Sequence, residues 1–463
     1  MSNTPTHARR RGFRLALLAW AASVLVAVAV DVGTDRREAA ALAAALLLHV
    51  AFGVLLLFRR PAALALLFAA MPLEPMLRTW GGTRFLTFAY GALLIMLFDL
   101  RATWRRLVPL DPGFWLMTVL LLWLFLSLLW TPARWAGVTH NFGMVGVLVA
   151  YCMPRGLLSD QDDLDEVLLA LVIGAVGALL LHVAVLPDAR EGRLGAHRAM
   201  SGQDVGANFA VALMAALYLA RNQRRRRTPL LGAAGLFAIG IALSVVRTAA
   251  VGMAAGALVF LLLSGSGLRR WAHASLFVAV IGGAYAVAYV HNRPAFGPRL
   301  ERTLRPESAD RFFTGRVSLW TVALAMIREH PLVGVGTGSF QDEFDRYYRL
   351  SPARHGYGRN PDTHSMPLRN AAEVGIPAAL VYVGFLAFCL RSAWKSRRAP
   401  GGAGALAVGL TVCCLLMTTV GALYQPVLWM GTGLGIWILR VLPQPPAPAR
   451  ALPLRPSSVP ANS

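Results

Sequence analysis

The feature that most constrains this chain is a recurring apolar run. Uninterrupted apolar stretches return along the sequence, many of them about 16–20 residues long, roughly the length a helix needs to cross a ~30 Å hydrocarbon core. A soluble chain of 463 residues would alternate polar and apolar faces, whereas here 56% of residues are hydrophobic and the polar ones gather between the runs. Lipid offers backbone groups no hydrogen-bond partners, so apolar segments of this length must be helical. The expected fold is therefore all-α and membrane-embedded, with about 12–14 transmembrane helices. The runs fall at 13–30, 39–58, 61–77, 85–99, 113–131, 137–153, 167–187, 207–221, 229–246, 248–264, 272–290, 376–393, 403–423 and 426–441. The first, which follows Arg9–Arg11, is long for a cleaved leader and reads as a retained helix.

Charge sets the orientation. A net charge of +22, carried by arginine apart from Lys395, would suggest nucleic acid in a soluble protein. Here the basic residues sit in short loops, as the positive-inside bias requires, and nucleic acid is set aside. With the N-terminus inside, five clusters fall on one face: Arg59/Arg60, Arg101/Arg105/Arg106, Arg221 with Arg224–Arg227, Arg269/Arg270, and Lys395 with Arg397/Arg398. The chain then divides into N-terminal spans over 1–290 with a small outer loop at 188–206, a large outer loop at 291–375, C-terminal spans over 376–441, and a Pro-rich disordered inner tail at 442–463. Cys152, Cys389, Cys413 and Cys414 all lie in or beside apolar runs, which points to neither a disulfide framework nor a metal cluster.

The large outer loop has the pattern of an ordered helical cap. Residues 311–329 read as an amphipathic helix with Phe312, Leu319, Ala323, Met326 and Ile327 near one stripe. His330-Pro331 ends it, and Gly334, Gly336 and Gly338 permit a tight turn. A second helix at about 339–350 carries Phe340, Phe344 and Tyr347, and a third starts near Thr363 and leads into the span at 376.

Few residues in this setting can carry chemistry. His364 stands at a predicted helix start close to the membrane surface, where a neutral imidazole can act as a base; an ordinary interfacial histidine fits the same position. Arg247 sits at a tight outer turn, either snorkelling or binding an anion. Arg316 on the amphipathic helix, and Arg193 and Arg198 in the smaller loop, have a solvated face as their default explanation. Together these guanidinium groups suit bidentate capture of phosphate oxygens. Glu74, between prolines, reads as part of a broken helix end. The acidic run Asp160–Glu166 has spacing that could hold a divalent metal, but it falls on the inner side and reads as a solvated loop. No Walker A, His-Glu-x-x-His or Gly-x-Ser-x-Gly pattern occurs, so no cofactor is expected and an outer-face catalyst would rely on His and Arg without a metal.

Arg316-x3-Trp320, His330-Pro331-Leu-Val-Gly334-Val-Gly336-x-Gly338-x-Phe340, and His364-Ser365 with Gly375 downstream resemble the O-antigen ligase / O-antigen polymerase family. The Ser244–Arg247 turn resembles that family's Ser-Arg turn with two extra residues, and the similarity is strongest over about 240–385. Ser365 stands where asparagine is commoner, and Ala378 where Gly, Thr or Tyr is usual. The resemblance implies a metal-independent transferase of GT-C-like architecture in the bacterial inner membrane, with cytoplasmic termini and a periplasmic site. It would move a glycan from undecaprenyl pyrophosphate to an acceptor hydroxyl such as that of lipid A core. His364 would be the general base, Arg247 and Arg316 would hold the pyrophosphate, and Arg198 and Arg193 would add substrate contacts. Elementary chemistry agrees: a pyrophosphate leaving group needs fixed cations, and a sugar hydroxyl needs a base poised near neutrality. Ligase, polymerase and protein O-glycosylation readings share these requirements. A transporter or flippase would instead need charged residues lining a path through the spans, and almost none occur there.

Overall fold

The computed structural model describes residues 12–23, 25, 47–56, 59–73, 111–185, 202–244, 246–265, 267–291, 316–349, 361–419 and 426–441. The expected span at 85–99, Glu74, Arg193, Arg198 and the tail at 442–463 lie outside them. The described residues form helices and turns with no strand, and the chain is an all-α integral membrane protein. In chain order the helices are α1 (Gly12–Ser23), α2 (Leu47–Leu56), α3 (Arg60–Ala70), α4 (Pro112–Leu126), α5 (Arg134–Leu157), α6 (Gln161–Val185), α7 (Gly202–Asn222) and α8 (Arg227–Ser244). There follow α9 (Arg247–Ser264), α10 (Gly267–His291), α11 (Arg316–Glu329), α12 (Phe340–Tyr348), α13 (Met366–Val374), α14 (Ile376–Lys395), α15 (Ala403–Thr419) and α16 (Pro426–Val441). Among the described residues, eight helical segments are long and apolar enough to cross a membrane.

Helices α7, α9, α15 and α16 form the centre of the bundle, with α5, α6 and α14 packed around them. Without a hydrophobic drive between helices in lipid, close backbone approach is the main source of packing energy, and small residues permit it. A Cβ on Gly256 of α9 would come within 2.6 Å of the Gly409 carbonyl of α15, and one on Gly409 within 2.7 Å of the Gly256 carbonyl. The two helices therefore cross at a reciprocal glycine contact that neither could make with a side chain. Leu122, Leu129, Leu180, Leu276, Val290 and Leu380 are exposed on the outside of the bundle, the surface lipid would cover.

Three elements differ from expectation. The acidic run is no solvated loop: Asp162 and Asp163 lie in the first turn of α6. Asp160 accepts from the Asp163 amide (3.0 Å) while Asp163 accepts from the Ser159 amide (3.0 Å), a reciprocal cap that satisfies orphan donors at the helix start. Glu166, one turn further on, pairs with Arg59 at 3.5 Å. Helix α7 starts at Gly202, inside the stretch read as an outer loop, with Asp204 in its first turn. And α13 does not run on into α14: Gly375, at φ 90°, separates them. There the Ile376 amide bonds the Pro331 carbonyl at 2.8 Å, and a Cβ on Gly375 would collide with the Leu332 carbonyl.

Helices α11, α12 and α13 form a cap with its own small core of Leu319, Val322, Ala323, Met326, Val335, Phe340, Phe344, Tyr347 and Ala372. The cap seats on the turn where α4 ends and α5 begins. Trp123 Nε1 donates to the Val374 carbonyl (2.8 Å), Trp130 Nε1 to that of Val333 (3.3 Å), and Thr131 Oγ1 to that of Thr337 (2.8 Å). Thr337 in turn donates to Asn141 Oδ1 at 2.9 Å. Because α14 begins at the cap, its far end, with Lys395, Arg397 and Arg398, lies at the opposite end of the bundle. Gly402, just beyond, sits against Arg221 at the end of α7.

Candidate active site

The glycine turn between α11 and α12 builds the floor of the site. Gly334, Gly336 and Gly338 all take positive φ (66°, 105° and 74°). A Cβ at Gly336 would lie 2.5 Å from Thr131 Cα, and one at Gly338 2.5 Å from the Gly137 amide nitrogen, so side chains here would lift the cap off the bundle. The turn pairs with α13 through its backbone: Val335 N donates to the Ala372 carbonyl (3.0 Å) and Gly336 N to that of Glu373 (2.7 Å). The Glu373 side chain, 1% exposed, accepts from Gly338 N (3.1 Å) and Phe340 N (3.3 Å).

From Glu373 a chain of ion pairs leads outward. Arg369, four residues earlier on the same helix, donates its Nε to Glu373 Oε1 at 3.1 Å and places Nη1 3.5 Å from Asp362 Oδ1. The other Asp362 oxygen, Oδ2, lies 3.9 Å from His364 Nδ1. Burial is the largest influence on Glu373 and would raise its pKa. Arg369, His140 and the two amides outweigh it and hold the carboxyl below its usual range, so it stays ionised.

His364 stands just ahead of α13, and among the described residues it is the one non-glycine with positive φ (48°). Its neighbours hold it there. Thr363 Oγ1 bridges the turn, accepting from Ser365 N (3.2 Å) and donating to the Ser365 carbonyl (3.0 Å), while the Thr363 carbonyl accepts from Trp320 Nε1 (3.0 Å). A non-glycine residue in this region costs on the order of 1–2 kcal/mol, and such strain concentrates at working sites. The Trp320 bond also explains the place of Arg316, which lies one helical turn earlier on α11 and shares its face with Trp320.

The structure brings Arg316, Arg247, Asp362 and His364 within electrostatic reach of one another. Burial depresses the Arg316 pKa first and repulsion from Arg247 second, against the pull of Asp362; as a guanidinium it remains charged. Arg247 is the first residue of α9, exposed at the end of the bundle that carries the cap. Burial lowers the His364 pKa, opposed by Asp362 and assisted by Arg316, so the imidazole is neutral near pH 7. The arrangement is a half-buried neutral base beside two cations, at the junction of cap and bundle. It suits deprotonation of a hydroxyl next to a polyanion.

Residues 232–383 match the family model described as O-antigen ligase. This stretch is similar to the O-antigen ligase family. Nothing among the curated proteins matches the chain. The matched segment contains Arg247, Arg316 and His364 together with Asp362, Arg369 and Glu373, and it joins α8 to the first turns of α14. Asp362, Arg369 and Glu373 were not singled out from the sequence. The one signal was the Arg-x-x-x-Glu spacing of Arg369 and Glu373 on a helix, which is common on solvated faces, and Asp362 had none. His140, on α5 and buried, is likewise new: its electrostatic partners are Arg369 and Glu373, which ties the cap's polar network to the bundle.

Proposed function

We propose that the chain is a glycosyltransferase that moves a lipid-linked polysaccharide from undecaprenyl pyrophosphate to an acceptor hydroxyl, as an O-antigen ligase acting at the periplasmic face of the inner membrane. The observation that supports this best is the meeting of one neutral imidazole, His364, with two guanidiniums, Arg316 and Arg247, at the rim of the bundle. The His364 imidazole takes the proton of the acceptor hydroxyl as its oxygen attacks the anomeric carbon. The bond from that carbon to the pyrophosphate oxygen breaks, and undecaprenyl pyrophosphate leaves with its charge held by Arg316 and Arg247. The proton ends on His364 and passes to solvent or to the departing diphosphate. In this scheme the arginines supply the positive charge, so transfer needs no metal and continues in EDTA. Arg193 and Arg198 remain candidates for further contacts to the glycan donor.

The test is a deletion strain examined for its lipid carrier. Loss of a ligase strands long polymer on undecaprenyl pyrophosphate, and the wild-type gene restores transfer to the acceptor. His364→Ala, Arg316→Ala and Arg247→Ala are each expected to insert normally and to restore less than about one hundredth of it, since a positioned base or a charge-stabilising donor contributes roughly 10²–10⁴-fold. Accumulation of single repeat units instead would make the enzyme a polymerase on the same donor. Full activity of the His364 variant would remove the mechanism.

A further inference from the structure

His364 presents two nitrogens, and the structure treats them differently. Nδ1 is shut off from solvent and makes no hydrogen bond, yet it faces Asp362 Oδ2 at 3.9 Å. The ring as a whole keeps 39% of its side-chain surface exposed. Asp362 is itself fixed from behind: Arg369 holds its other oxygen at 3.5 Å, Glu373 holds Arg369 at 3.1 Å, and the amides of Gly338 and Phe340 hold Glu373. A carboxylate in this place can do two things for an imidazole. It favours the tautomer with hydrogen on Nδ1, leaving the Nε2 lone pair free, and it stabilises the imidazolium that forms when Nε2 takes a proton. The 3.9 Å separation is longer than a hydrogen bond, and such contacts commonly tighten once substrate is bound.

We infer that Asp362 is a positioning residue for His364, holding the proton on Nδ1 so that Nε2 is the base, and that Arg369 and Glu373 tie Asp362 to the glycine turn beneath the site. The inference rests on His364 being the base. It adds a carboxylate–imidazole pair to a mechanism that otherwise needs only His and Arg. It also gives the buried Glu373 a part in function as well as in folding. The charged groups facing the ring pull in opposite directions: Asp362 from its own turn raises the proton affinity of His364, and Arg316 from α11 lowers it. Arg369 on α13 acts on Asp362, and Arg247 on α9 acts on Arg316.

The test uses Asp362→Asn in the full-length protein, with Asp362→Glu as the conservative partner. In membranes charged with a lipid-linked glycan donor, Asp362→Asn is expected to lower kcat about 10–100-fold with little change in donor KM, and Asp362→Glu to recover part of the loss. A readout independent of turnover is the pH dependence of diethyl pyrocarbonate acylation at His364, followed on its own peptide by mass spectrometry. Its midpoint is expected to fall in Asp362→Asn and to rise in Arg316→Gln. An unshifted midpoint together with unchanged kcat in Asp362→Asn overturns the inference. His364→Gln separates the two levels. If it is inactive while Asp362→Asn behaves as wild type, only the positioning role fails. If His364→Gln retains activity, the proposed base fails first.

Discussion

His364 combines a strained backbone with the chemistry proposed for it, and the two can be pulled apart by substitution. At φ 48° an alanine keeps the steric cost and a glycine does not. Both His364→Ala and His364→Gly remove the base, but the glycine variant is expected to be more stable by about 1 kcal/mol. Thermal melts of the two proteins in the same detergent check this; equal midpoints would show that the backbone there is relaxed. Protonation gives a second handle. The base must be neutral, and its pKa in the folded protein lies below the ordinary imidazole value of about 6.5. Transfer should therefore be fully present at neutral pH and be lost only as the pH falls through that depressed value. A pH profile of kcat/KM with its acid limb above 6.5 would contradict the assignment. His364, Arg316 and Arg247 could be put forward from the sequence because each is a polar residue at a membrane-proximal turn or helix and the motifs around them resemble a known family; that they come within electrostatic reach of one another only the fold shows. Asp362, Arg369 and Glu373 could not, because their roles depend on pairing across a fold that brings the glycine turn beneath α13.

At the level of elements, the cap meets the bundle through glycine contacts that side chains would block and through the Trp123, Trp130 and Thr131 bonds, and one buried carboxylate ties its glycine turn to α13. Glu373 accepts from the amides of Gly338 and Phe340 and from Arg369, so Glu373→Gln takes from Arg369 the nearer and more buried of its two carboxylates and can place an amide donor against N–H groups. Breaking one side of a buried ion pair costs about 3–5 kcal/mol. Loss is expected in the cap, read as faster proteolysis within 316–349 while the spans stay protected; an unchanged digestion pattern would deny Glu373 that part. The sign with pH follows from its depressed pKa. Its contribution is present above the unfolded carboxyl value of about 4.3 and disappears as pH falls through the lower folded value. The helices α8 to α10 and α14 to α16 fall close to where hydropathy placed them, since a continuous apolar run has no other stable form in lipid. What hydropathy misplaced were polar ends. The acidic start of α6 caps itself, and the α13–α14 break at Gly375 depends on the Pro331 carbonyl, more than forty residues away in sequence.

The arrangement of the whole molecule makes its sidedness testable. Helix α14 starts beneath the cap and ends at Lys395, and Arg221 at the end of α7 reaches Gly402 beside it. The exposed arginines 224–226 follow directly on α7, so they lie at the end of the bundle opposite His364. On the positive-inside expectation the arginine end would face the cytoplasm and the cap the other side, the side the proposed donor requires. Cysteine labelling can read this without any assay of transfer. Cys389, Cys413 and Cys414 are buried and Cys152 is half-buried, so the natural thiols give little background. Gln341 on α12 and Arg225 are both exposed. In cells with a permeabilised outer membrane, an impermeant maleimide is expected to label Gln341→Cys at once and Arg225→Cys only after the inner membrane is broken. The reverse pattern would turn the molecule over, put His364 on the cytoplasmic side, and leave a periplasmic transferase without its base.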